Sequence, residues 1–172
     1  MREKVNINFK EKRETAYYSR ARTWPLLFNL RSTPRILDIG CGQGTLGQYL
    51  KDKIDAEVCG LEITPNNFDI ASKVLNRTLL GDVESMDLSL LGTDFDYVIF
   101  SDSLEHLVDP GRVLQNIKSV MSEDGSLLIA LPNTRNFRVT LPLLFLDRWE
   151  YTDEGLLDRT HLRFFTLTSI TQ

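Results

Sequence analysis

The residues with chemical potential in this chain are acids set at regular intervals behind short apolar runs. Asp38-Ile39-Gly40-Cys41-Gly42-Gln43-Gly44 places three glycines in five residues just after an acid. Glycines at that density let the backbone turn sharply and come close to a ligand. Glu62 follows Gly40 by 22 residues, and Asp82 follows Glu62 by 20. A carboxylate at Glu62 can accept hydrogen bonds from both hydroxyls of a ribose. One at Asp82 can accept from an exocyclic amine. Asp38 suits a cationic group, because a pyrophosphate would gain nothing from a negative charge there. The set therefore describes a ligand with a cation, a ribose and an amino-purine, and no phosphates. Taken singly, Glu62 also reads as an exposed helix-entry acid and Asp82 as a turn residue. Gly42 to Gly47 fits G-x-G-x-x-G literally, the signature of a dinucleotide site. Its register is wrong, since the apolar run ends at Ile39, so NAD and a nicotinamide oxidoreductase are not expected.

An alternation of strands and helices must position these acids. Strands are expected at Arg35–Ile39, Glu57–Leu61, Thr78–Leu80, Phe95–Ser101 and Ser126–Leu131. Helices are expected at Leu46–Lys53, from Thr64-Pro65 to about Leu75, and at Val113–Met121. Thr64 is placed as N-cap and Pro65 in the first turn. Apolar strands alternating with helices imply a parallel sheet covered on both faces. The fold class is thus α/β: Rossmann-like, doubly wound, mostly parallel, in three α/β/α layers. Ligands in such sheets bind at the carboxyl ends of the strands. The residues there are Gly40–Gly44, Glu62, Asp82 and Ser101-Asp102.

Composition narrows the class. The chain has 172 residues, two Cys and two His, with a net charge of −4. That is one domain's worth of chain, able to bury a core without disulfide or metal staples. Residues 1–34 form a basic, helical and aromatic leader, and residues 35–172 the main domain. Counted to Arg35, the leader segment carries +6 and the remainder −10. The leader reads either as a solvated helix or as a basic lid beside an anionic ligand. Nucleic-acid binding is disfavoured in an acidic chain. Two cysteines without a ligand pattern and no signal peptide point to the cytoplasm. No apolar run approaches the ~18 residues that span a bilayer.

Ile36-Leu37-Asp38-Ile39-Gly40-Cys41-Gly42-Gln43-Gly44 resembles the first motif of the class I S-adenosylmethionine-dependent methyltransferases. Gly60-Leu61-Glu62-Ile63 resembles their second motif and Gly81-Asp82-Val83 their third. Phe95–Ile99 with Ser103–Pro110 looks like the strand-four motif. Leu131-Pro132-Asn133 and Asp158–Thr166 are similar to a small bacterial subgroup, glycan-cluster or MetW-like. The resemblance implies S-adenosylmethionine as cofactor and S-adenosylhomocysteine as product. It implies that Asp38, Gly40, Cys41, Gly42 and Gly44 hold the methionine part. Glu62 would bind the ribose, with Ile63 on the adenine; Asp82 would accept the adenine amine beside Val83. Ser101 and Asp102 would line the methyl-donor end, with Tyr17 and Arg20 as lid contacts.

The activity expected is methyl transfer to a small-molecule acceptor, hydroxyl, glycan- or lipid-related. The alternative is a non-catalytic subunit that binds the same cofactor. A hydroxyl acceptor needs its proton removed, and His106 is the candidate base; it reads equally as a capping or solvent-facing residue. Asn133, His161 and Arg163 are candidate acceptor contacts, with His161 also read as orienting the loop that carries Arg163. No metal-ligand spacing is present, so no metal is expected. Residues 133–165, rich in Phe, Leu, Trp, Tyr and Arg, read as the cover of the acceptor pocket or as packed core. The family's last two strands are missing, so strand five stands at an edge. Pairing of two copies there is the expected homodimer.

Overall fold

The computed structural model describes residues 23–171. Five parallel strands form one sheet: β1 (Arg35–Ile39), β2 (Glu57–Glu62), β3 (Arg77–Leu80), β4 (Phe95–Ser101) and β5 (Met121–Ala130), in the order β3-β2-β1-β4-β5. The order reverses between β1 and β4, the switch point at whose carboxyl ends such sheets form their ligand crevice. The helices are α1 (Thr45–Ile54), α2 (Pro65–Ala71), α3 (Pro110–Ile117), α4 (Phe137–Leu146) and α5 (Leu167–Ile170).

The central strands are apolar throughout because both faces are covered. Leu37, Ile39, Val98 and Phe100 join Val113 and Ile117 on one side. Ile36, Val58 and Ile99 join Leu46, Leu50 and Ala71 on the other. Asp38 sits in the middle of this register, opposite Gly60 of β2 and Ile99 of β4. Glycines admit the close layers. A Cβ on Gly60 would stand 2.6 Å from Cys41 Sγ and 2.6 Å from Leu75 Cδ1. We expect Gly60→Ala to destabilise the fold by about 1–3 kcal/mol through overpacking. Urea unfolding would read this as a lower midpoint at constant slope; an unchanged midpoint would mean that the layer relaxes freely.

β1 and β4 lie where the sequence places them. Other boundaries shift for local reasons. α2 starts at Pro65 with Thr64 at the N-cap, but the Thr64 side chain makes no capping bond. The helix ends at Ala71 rather than Leu75, because tighter turns take over: Lys73 N–H bonds Ile70 O, and Val74 N–H bonds Ala71 O. α3 begins three residues earlier than Val113, at Pro110, since Asp109 Oδ1 accepts from Arg112 N–H at 3.0 Å. Met121 leaves the helix for β5. That strand pairs Met121 with Phe95 and Ser126 with Tyr97, so an irregularity around the polar Ser122–Gly125 carries the extra residues.

The leader's described end is a short 3-10 helix, Trp24–Leu27. Arg31 is exposed and Arg35 half-buried, and both are held by partners at the sheet. Arg31 pairs with Asp96 at 2.8 Å, and Arg35 lies 3.4 Å from Glu57 and over the Phe95 ring. Both serve the opposite, amino end of the sheet. No helix among the described residues is long and apolar enough to cross a membrane.

Candidate active site

The glycine turn after β1 is held from β2. Gly40 N–H and Cys41 N–H both donate to Leu61 O, at 2.8 and 3.1 Å. Gly40 has φ +72°, and a Cβ there would meet Ser103 Cβ at 2.8 Å. Only glycine satisfies both conditions. Ser103 Oγ–H in turn donates to Ile39 O at 2.8 Å, tying the loop after β4 to the tip of β1.

Glu62 is the clasp of this turn. It is buried, and Gly42 N–H donates to its Oε2 at 2.8 Å while Thr64 N–H donates to its Oε1 at 2.8 Å. Two of a carboxylate's roughly four acceptor positions are thereby used, leaving two for a ligand. Asp82 caps its own turn, with Oδ1 accepting from Glu84 N–H at 2.9 Å. Val83 beside it is buried, and Ile63 stands exposed at the tip of β2.

Asp38 is the most perturbed acid. Burial in the sheet, and then the charge of Glu62, push its pKa up to about 7. Burial likewise pushes the Cys41 thiol far up, which removes it as a nucleophile.

The loop after β4 carries Ser101, Asp102 and a short 3-10 helix, Leu104–His106. Trp24 Nε1–H donates to Ser101 Oγ at 3.1 Å, so the leader's end docks on this rim. Asp102 adopts φ +54°. His106 is exposed, with Nδ1 at 3.1 Å from Thr160 O. His161 is buried, its ring 4.9 Å from that of His106 and its Nε2 3.8 Å from Glu105 Oε1. Burial, and then His106, hold His161 below the usual histidine pKa. Leu162 and Arg163 N–H both donate to Glu105 O, at 2.9 and 3.0 Å. The Arg163 guanidinium bonds Val108 O rather than open space.

The structure therefore gathers Asp38, the glycine turn and Glu62 tightly, with Asp82 and Ser101-Asp102 at neighbouring strand ends. Asn133 Oδ1 accepts from Arg135 N–H, and its backbone bridges to Phe165. Tyr17 and Arg20 lie outside the described residues. Two participants were missed in the sequence. Trp24 had only its aromatic character to suggest it. Glu105 adjoins His106, but only the fold brings the pair to His161 from 55 residues away. No ligand spacing announces this group; folding puts one ligand atom of each within 4.8 Å of the others.

The segment from 133 to 165 is not packed core. Of α4, only Val139 is buried, whereas Phe137, Leu144 and Phe145 are largely exposed. Trp149 and Tyr151 stack on Phe164 at 5.4 and 6.2 Å, within the segment itself.

A five-stranded doubly wound sheet with acids ranked along its carboxyl edge defines a Rossmann-like α/β/α fold. Residues 9–172 match the family described as "Methyltransferase domain", and the chain belongs to that family. Its motif resemblance to class I S-adenosylmethionine-dependent methyltransferases holds. A ubiquinone biosynthesis O-methyltransferase of Coxiella burnetii (strain Dugway 5J108-111) is 31% identical over 110 residues, covering 62% of this chain and 46% of the relative. One from Actinobacillus pleuropneumoniae serotype 7 is 28% identical over 136 residues, covering 74% and 56%. The chain thus spans about half the length of these relatives. A TehB-like SAM-dependent methyltransferase from Corynebacterium glutamicum superposes with TM-score 0.57 at 28% identity, covering 70% of this chain and 68% of that one. A plantazolicin methyltransferase crystallised with S-adenosylhomocysteine superposes at 0.68 with 17% identity, covering 96% and 68%, a likeness of fold alone.

Proposed function

We propose that this chain transfers the methyl group of S-adenosylmethionine to a hydroxyl of a small-molecule acceptor. The observation that carries the reading is the Glu62 clasp: one buried carboxylate orders the glycine turn and keeps two acceptor positions for a ribose. Asp38 meets the ligand's ammonium, Ile63 lies on the adenine and Asp82 takes its amine. The Ser101-Asp102 rim borders the sulfonium. Residues 35–172 act as the cofactor domain and 133–165 as the acceptor's cover. A second copy pairs along β5, which is outermost in the sheet order.

The sulfonium methyl is already activated, so the protein's task is alignment and exclusion of water. Alignment supplies up to roughly 7–11 kcal/mol in ideal systems. The acceptor oxygen forms its bond to the methyl carbon as the carbon–sulfur bond breaks, and sulfur keeps the electron pair. The hydroxyl proton leaves on the side of His106, whose Nδ1 lies 3.1 Å from Thr160 O, which leaves Nε2 as the acceptor. The curated relatives are named as O-methyltransferases, which favours oxygen over nitrogen or carbon as the receiving atom.

The test is turnover with a panel of phenols, catechols and sugar alcohols, read as S-adenosylhomocysteine formed and methyl ether gained. We expect product, with a loss of about 10²–10⁴ in kcat for His106→Ala. Cofactor binding without turnover across the panel would instead support the non-catalytic subunit.

A further inference from the structure

The Glu105, His106 and His161 side chains do not behave as three separate residues. One ring nitrogen of each histidine and one Glu105 oxygen lie within 4.8 Å of one another. Each imidazole is oriented by a backbone carbonyl at its Nδ1. His161 Nδ1 lies 3.3 Å from Leu156 O, and His106 Nδ1 lies 3.1 Å from Thr160 O. Such bonds fix the Nδ1–H tautomer and leave Nε2 as the lone-pair atom on both rings. This is the support that metal-ligating histidines receive. A further layer stands behind it. Asp158 Oδ1 accepts from Thr160 N–H at 2.8 Å and from its hydroxyl at 2.7 Å, which sets the carbonyl that holds His106.

The spacing is as telling as the orientation. His161 Nε2 stands 3.8 Å from Glu105 Oε1. That is too long for a hydrogen bond. Two ligands of a tetrahedral zinc, with bonds of about 2.0–2.1 Å, lie about 3.3 Å apart. Bringing this pair to that distance takes about 0.5 Å, and closing the widest pair of the set, within 4.8 Å, takes at most about 1.5 Å. Glu105 is 1% exposed and His161 9%, while His106 is exposed. Two ligands are therefore rigidly embedded, and the third borders solvent at the mouth. That arrangement leaves an open position for an exogenous oxygen.

We propose that Glu105, His106 and His161 form a binding site for one divalent first-row transition metal, of the kind that takes zinc. Imidazole nitrogen and carboxylate oxygen are the donors such ions prefer. The 3-10 helix after β4 brings two ligands, and the 133–165 segment brings the third. The ion therefore pins that segment to the sheet's carboxyl edge beside Ser101-Asp102. Its use in catalysis rests on the methyl-transfer reading; its binding does not. An ion held there would lower the pKa of a coordinated hydroxyl; with the ion bound His106 would serve as its ligand, and without it His106 keeps the role of base.

The test uses the full 172-residue chain, stripped with chelator and titrated with Zn(II) against a chromophoric competitor. Co(II) loading is followed in parallel by its visible d–d bands. We expect one equivalent bound and tetrahedral cobalt bands. His106→Ala, at an exposed position, and Glu105→Gln, nearly the same shape, should weaken binding beyond the roughly 10–100-fold that loss of a supporting bond costs. Circular dichroism establishes that both variants are folded. Absence of stoichiometric binding, or equal binding by both folded variants, would overturn the site. S-adenosylhomocysteine titrated into the metal-free wild-type protein reports on the cofactor crevice alone. A missing cofactor response with intact zinc binding would sink the methyl-transfer reading and leave the metal site standing.

Discussion

Asp38→Asn should make the ligand-free protein more stable at pH 8 while weakening cofactor binding at least tenfold. The sign follows from the raised pKa. The Asp38 carboxyl lies at 3.8 in the open chain and is pushed up to about 7 in the fold. Between these values the folded state holds a proton that the unfolded state has lost, so stability falls as pH rises. The full penalty is present above about pH 7 and absent below about pH 4. That displacement corresponds to about 4 kcal/mol, an upper figure for a carboxylate sealed in a parallel sheet. Asparagine removes the charge and keeps the shape. Its advantage in thermal midpoint should be near zero at pH 5 and several degrees at pH 8, at about 2–4 °C per kcal/mol for a chain of this size. A charge-assisted hydrogen bond is worth about 1.5–3 kcal/mol, so losing the partner of the ligand's ammonium costs at least tenfold in affinity. In the wild-type protein, binding of S-adenosylhomocysteine should weaken as pH falls below 7, because the Asp38 proton must leave first. Calorimetry in buffers of different ionisation enthalpy reads that proton directly. A pH-independent affinity between 5.5 and 8 would remove Asp38 from the cofactor's ammonium.

Glu62→Ala should be the second severe change, and for two reasons that separate experimentally. It removes the acceptor of Gly42 N–H and of Thr64 N–H, each at 2.8 Å. It also removes the expected ribose contacts. Two buried amide donors left without a partner cost about 1–3 kcal/mol each. Binding of S-adenosylhomocysteine should weaken by a few kcal/mol, and the turn from Gly40 to Gly44 should lose amide protection in hydrogen exchange. Glu62→Gln distinguishes the two effects. Its carbonyl oxygen can accept one amide bond, but it brings an NH2 donor toward the other amide. It should therefore recover part of the fold and little of the binding. Full affinity in the alanine variant would remove the ribose assignment.

For Arg31 and Arg35, the two leader bases among the described residues, composition misleads when geometry is unknown. Nine basic groups among the first 35 residues suggested a lid over an anion or a solvated helix. Arg31 and Arg35 instead brace the amino ends of β1 and β4 through Asp96 and Phe95. The aromatic segment after β5 misleads in the other direction. Bulky side chains suggested core as readily as cover, yet α4 leaves Phe137, Leu144 and Phe145 in the open.

The local signals in the chain determined the strand–helix alternation, the site's place at the strand tips and the acids that mark it. Apolar runs, glycine density and the distance from one strand end to the next are properties of neighbouring residues, and these elements must form wherever such a pattern can bury both faces. Only the tertiary structure decided that Glu62 grips Gly42 from the adjacent strand, that Trp24 docks on Ser101, and that His161 meets Glu105 and His106. Those contacts join residues 20, 77 and 55 or more positions apart, and no periodicity encodes a meeting that depends on how whole layers pack.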